Sequence, residues 1–102
     1  MGTYLVERYL PGISERALLA ACSRVMAAAA ATQAEGLTVQ YLGSTFAPGD
    51  ECCFCLFAGP SVAAIRQVND RADFAFARIV PVIRILAERA PAGTRAVDAR
   101  RE

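Results

Sequence analysis

Three cysteines crowd into four positions, Cys52-Cys53-Phe54-Cys55, and form the densest chemistry in the chain. Alternate residues of an extended strand share a face, so Cys53 and Cys55 point the same way, roughly 6–7 Å apart along the chain, and Cys52 points oppositely. Two thiolates on one face could hold a soft metal, a partner chain supplying further donors. Free cysteine is also among the most buried side chains, so a small apolar packing role is the competing reading. Neighbours within one strand are poorly placed for a disulfide. Glu7 is the second candidate. It shares a parity with Leu5 and Tyr9, and a carboxylate in the middle of a central strand is costly unless it is paired or faces water. Its candidate partners are Arg8, which has the opposite parity, and Arg71 or Arg78. An unpaired Glu7 could act as acid or base, whereas a paired one is structural. Arg71 could clamp a carboxylate through both arms of its guanidinium, or be a solvated helix-end charge. Tyr41, with Tyr4 and Tyr9, could line a pocket with hydroxyl donors, or simply pack.

The chain contains no histidine, and all 11 of its basic residues are arginine. No imidazole is present to serve as general base, to orient a nucleophile or to ligate a metal. Ser-His-Asp and Cys-His catalysis are therefore excluded within one chain. Any zinc or nickel site must be built from cysteine, carboxylate, backbone or water. A length of 102 residues makes one domain, and a hydrophobic content of 55% excludes general disorder. A net charge of +1 gives no ground for a nucleic-acid or anionic-membrane partner. The first residues lack a basic region followed by an apolar run, and the apolar stretch 17–31 is broken by Ser23 and Arg24. Neither reads as a targeting or spanning segment, and reduced thiols in the cytoplasm are the simpler expectation.

The elements that must position these residues follow from local signals. Residues 3–9 favour a strand, ended by Pro11-Gly12. Ser14 caps a helix running to about residue 35, its interior rich in Ala, Leu, Met and Arg, with Leu18, Cys22, Val25 and Ala29 as its core stripe. Gly36 fits the residue just past its end. Residues 37–45 and 52–57 form a hairpin around the turn Ala47-Pro48-Gly49-Asp50. Ser61 caps a second helix to about residue 72, with Val62, Ile65 and Val68 as its buried stripe. Phe74 and Phe76 fold down as a lid on the core. Residues 79–86 form the last strand, and Pro81 inside it demands an edge or a bulge. Residues 1–90 then make one domain, and 91–102 a flexible tail.

The order β-α-β-β-α-β is the ferredoxin-like α+β arrangement, a four-stranded antiparallel sheet with both helices on one face and strands one and three in the middle. Both parities of the third strand are apolar: Cys53, Cys55 and Phe57 on one, Cys52, Phe54 and Leu56 on the other. The helices cover one face only, so the other is expected to be covered by a second copy of the chain or by a ligand.

Residues 4–12, 41–46 and 48–51, then 54–57, 60–61, 69–72 and 78–80, form an ordered series. It resembles a family of small ferredoxin-like proteins formerly of unknown function and often labelled nickel-binding. The resemblance covers about residues 3–82. It implies a ferredoxin-like fold, a homodimer and nickel or another divalent metal as ligand, without an established reaction. Cys55 matches the strand-three cysteine of the family. Relatives carry a histidine in the second helix about where Val68 stands here, so a nickel site on imidazole does not carry over.

The leading functional expectation is a small homodimeric binding protein without catalysis, dimeric through the sheet, taking a metal at Cys53 and Cys55 or a small ligand near Glu7, Tyr41 and Arg71. A cofactor-free dimeric α+β-barrel enzyme, such as a monooxygenase or isomerase, is the alternative, and an enclosed pocket lined by Glu7 and a tyrosine would favour it. A module that docks another protein on its sheet face is the third.

Overall fold

The computed structural model of the chain describes residues 1–87. Six elements follow in the expected order: β1 (Gly2–Tyr9), α1 (Glu15–Ala34), β2 (Gln40–Ala47), β3 (Cys52–Gly59), α2 (Val62–Arg71) and β4 (Arg78–Val82). The strands form one antiparallel sheet in the order β2-β3-β1-β4. This is the ferredoxin-like fold, with strands one and three in the middle. The expected flexible tail, 91–102, lies outside the described residues.

Both helices start where a serine can satisfy a backbone donor that has no partner inside the helix. Ser14 Oγ accepts from Ala17 N at 3.1 Å and Ser61 Oγ from Ala64 N at 3.2 Å. By length and composition α1 could cross a membrane. Here it is a core helix, with Ala21, Val25, Ala28, Ala29 and Thr32 buried. Its small side chains let the helix lie close to the sheet. Leu18 and Cys22, expected in the stripe, are partly buried beside it. In α2, Ile65 and Val68 are fully buried, while Val62, also expected inside, is exposed. Phe74 packs into the core and Phe76 lies partly buried against it.

Two strands depart from the sequence expectation. β4 ends at Val82 rather than residue 86. Val82 pairs with Thr3, and β1 begins at Gly2, so further residues run out of partner strand. Pro81 sits on this edge strand, where its missing donor costs no ladder bond. β2 begins at Gln40 rather than residue 37, although Val39 is still fully buried. More consequential is a bulge. The pairing of β2 with β3 slips between Tyr41 and Gly43, leaving Leu42 as an extra residue. Gly43 takes φ 139°, which a side chain would resist. Past the bulge the parity of β2 is reversed, so Tyr41, Ser44 and Phe46 face the helices together, opposite Phe57, Cys55 and Cys53.

A candidate thiol centre on the helix-covered face

The alternation of β1 and β3 divides the candidates between the two faces. Tyr4, Val6 and Arg8 of β1 lie opposite Phe57, Cys55 and Cys53 of β3, beneath the helices. Cys53 and Cys55 share this face, as their spacing requires, and both are fully buried. Their sulfurs are 3.8 Å apart. Cys52 lies on the other face, only partly buried.

Arg8 is the residue the sequence reading passed over as a site member. It is 1% exposed, and its guanidinium is aimed at the thiols. Nε donates to Cys55 Sγ at 3.4 Å. Nη1 donates to Phe74 O at 2.9 Å and Ala75 O at 3.4 Å, and Nη2 donates to Asn69 Oδ1. The Phe74 ring lies against the cation, 3.8 Å from Cζ to its centroid. Asn69, itself fully buried, is fixed by donating Nδ2 to Ile65 O at 2.8 Å. All of these partners except Cys55 are neutral, and a buried cation without a countercharge is costly.

Cys55 can supply that countercharge. Its thiol is drawn down to about 6, first by the hydrogen bond from Cys53, then by the charge of Arg8 and by Ser44, against the opposing effect of burial. The Cys53 thiol is pushed up by that same hydrogen bond and then by burial. The Ser44 hydroxyl donates to Cys55 Sγ at 2.9 Å and is hydrogen-bonded to the Tyr41 hydroxyl. Cys22 of α1 lies 3.9 Å from Ser44 Oγ. Burial raises the Tyr41 phenol, which keeps it a neutral donor. The bulge in β2 thus completes the centre: without the slip at Leu42, Ser44 would face away from Cys55. The sequence signal for it was a glycine inside a strand pattern, and that for Arg8 was a charge on the apolar parity Tyr4-Val6.

The residues expected near a small ligand are not brought together. Tyr41 joins the thiol centre. Glu7 lies on the other face, where Arg78 Nε donates to its Oε1 at 3.0 Å and Nη2 to its Oε2 at 3.1 Å. Arg71 sits at the end of α2 and grips Glu35 with both arms, at 2.9 and 2.7 Å. This pairing lowers Glu35 and raises Arg71. Arg71 also lines an open cavity of about 300 Å³ with Arg24, Ala27, Ala28, Ala31 and Ala72. Two smaller cavities, about 170 and 190 Å³, border Phe74 to Phe76 and Tyr9 to Ala77. Glu7 lines none of these three.

Residues 4–82 match the family described as nickel responsive protein SCO4226-like. The chain belongs to that family. The crystal structure of SCO4226 from Streptomyces coelicolor A3(2) is similar, with a TM-score of 0.68 and 22% identity over 82% of this chain and 99% of that one. At this identity the likeness is one of fold. No curated protein matches the chain.

The residues present do not fit nickel. Nickel(II) prefers a tetragonal set of nitrogen and oxygen donors, and the chain has no imidazole. Among the described residues, no three side chains of His, Cys, Asp or Glu gather closely enough to hold a metal ion. The one thiol pair carries a guanidinium beside it, which repels a divalent cation.

Proposed function

We propose that this member of the nickel-responsive family is a small, non-catalytic binding protein of the cytoplasm. It acts as a homodimer through the open sheet face, with the buried Cys53–Cys55 pair as its metal-binding donors. The observation that carries the binding reading is the sulfur pair itself. Two thiols share one face 3.8 Å apart, with hydrogen-bond donors already aimed at Cys55 from Arg8 and Ser44. An inert apolar core has no use for such donors. The partly buried Cys22 and Tyr41 and the exposed Ser44 border the pair on its β2 and α1 side.

The dimer is supported by the other face. Leu5, Phe54, Leu56 and Val80 stand there half-exposed in adjacent strands. Just past β4, Ile83 and Ile85 are 89% and 90% exposed. A contiguous apolar surface of this kind marks an interaction site, and a second copy presents the same surface by two-fold symmetry.

The test is native mass spectrometry of the full chain after incubation with nickel, zinc or copper, together with sedimentation equilibrium. Retention of one thiophilic ion per chain, lost when Cys53 and Cys55 are both replaced by serine, is the expected result. A chain that retains no ion at micromolar concentration overturns the binding reading, and one that sediments as a monomer overturns the dimer.

A further inference from the structure

We infer that the Cys53–Cys55 pair selects a soft monovalent ion, copper(I), over any divalent one, and that Arg8 is the residue that sets this choice. The inference rests on the binding reading above and names its ligand class. A metal–thiolate bond is about 2.3 Å long, so two sulfurs 3.8 Å apart reach the roughly 4.6 Å of a linear two-sulfur site by a small side-chain rotation, with the strand in place. Two sulfurs suffice for a closed-shell monovalent ion, which tolerates few donors. A divalent ion needs a fuller set, and the described residues offer no third carboxylate, imidazole or thiol close enough. Thiolate donors themselves favour copper(I), zinc and iron–sulfur clusters over nickel.

Charge makes the same choice independently. When an ion binds, whatever protons the two sulfurs carry go to solvent and the ion takes their place between them. No electrons move. Two thiolates, one monovalent ion and the guanidinium of Arg8 then cancel, leaving a neutral cluster in the core. With a divalent ion the same cluster carries one uncompensated positive charge, and burying an unpaired charge is strongly disfavoured. Arg8 cannot move away to relieve it, because Asn69, Phe74 O and Ala75 O hold its other nitrogens. Nor can it lose its proton, since guanidinium stays charged in proteins. Its buried charge, otherwise surrounded by neutral partners, is thus a preset counterion for an anionic bis-thiolate complex.

The experiment is an oxygen-free titration of the full chain with copper(I) against a competing chelator, alongside zinc(II) and nickel(II). It is run on a Cys22→Ser/Cys52→Ser background that leaves only the buried pair. One copper(I) per chain is expected, held at least 100-fold more tightly than zinc or nickel. Cys53→Ser should abolish that tight binding, and its small change of volume leaves the fold intact by circular dichroism. Arg8→Lys should keep the preference and Arg8→Gln should reverse or erase it; a folded Arg8→Gln with the preference unchanged, or, where that variant does not fold, an Arg8→Lys without the preference, overturns the role of Arg8. Zinc or nickel held as tightly as copper(I) at the pair overturns the inference while leaving the binding reading standing. Copper(I) binding unaffected by Cys53→Ser also overturns it. Retention of no ion at all overturns both.

Discussion

Arg8 and Glu7 are neighbours in β1 and carry opposite charges, yet the pleat sends them into different worlds. Arg8 points under the helices, 1% exposed, and every contact it makes is with another part of the chain. Glu7 points to the open face, where it pairs with an Arg78 side chain that is 66% exposed. The first charge is held by a closed set of partners drawn from β3, α2 and the segment after α2. The second is held by one flexible side chain and water. What a charge on a central strand costs is therefore set by the face it lands on, and the face also decides what the charge can do. The buried one can tune a neighbouring thiol, while the open one can only tune an association.

The sharpest way to break this contrast is to remove each charge in turn. Arg8→Met leaves Asn69 Oδ1 and two backbone carbonyls without their donor and strips the Cys55 sulfur of one of its donors. Breaking a buried charge pair by deleting one partner costs roughly 3–5 kcal/mol, and chemical denaturation should show a loss of that size. Glu7→Gln, measured in the dissociated protomer, should leave the midpoint unchanged within error. If the two variants lose the same stability, the division of the sheet into a closed and an open face is wrong.

A second test addresses the open face alone. Leu56→Glu places a carboxylate among Leu5, Phe54 and Val80, where a lone protomer tolerates it because the site is half-exposed. In a dimer built on this face the same carboxylate is buried opposite its own copy. Sedimentation equilibrium should show dissociation at least ~100-fold easier, about 2.8 kcal/mol by the usual conversion. Folding of the protomer, followed by circular dichroism, should persist. An unchanged dimer would place the interface elsewhere.

Much of this was legible in the residues. Strand and helix order, the central positions of β1 and β3, both serine caps and the edge position announced by Pro81 all come from local rules of turn, cap and parity. The shared face of Cys53 and Cys55 follows from a period of two. What escaped was set by long-range geometry. Ser44 reaches Cys55 only because β2 slips by one residue at Leu42, and Gly43, the sign of that slip in the sequence, permits a bulge without fixing where the register shifts. Asn69 and Phe74 O meet Arg8 because α2 and the turn after it fold back over β1, 61 and 66 positions along the chain. Glu7, Tyr41 and Arg71 were each plausible as site residues singly, and the fold places them at three separate locations.

The thiol centre gives a pH test of intermediate size. Cys55 is depressed from the ordinary value of 9.0 to about 6. The folded state therefore prefers the thiolate more than the unfolded state does. For a depressed acid this stabilisation is fully present above the unfolded value and is lost as pH falls through the folded one. The melting-temperature advantage of the native chain over Cys55→Ala should accordingly shrink between pH 9 and pH 6 and level off below. A gap that stays constant or widens toward acid would mean that Cys55 remains a neutral thiol, and that Arg8 finds its countercharge elsewhere.

The smallest expected effect is also the most discriminating. In a lone protomer the Glu7–Arg78 pair is bathed in solvent, and exposed pairs contribute next to nothing. A double-mutant cycle with Glu7→Gln and Arg78→Gln on the Leu56→Glu background should find no coupling. In a dimer built on the open face the same pair, beside the apolar patch of Leu5 and Phe54, would be desolvated by the second copy, and removing one partner would then leave the other buried and unpaired. Coupling should appear in the dissociation constant, and it should weaken only slightly with added salt, since buried pairs are screened less than exposed ones. Coupling that is absent in both forms would leave this ion pair at the rim of the interface. Coupling already present in the monomer would mean that the open face is less open than its exposure shows.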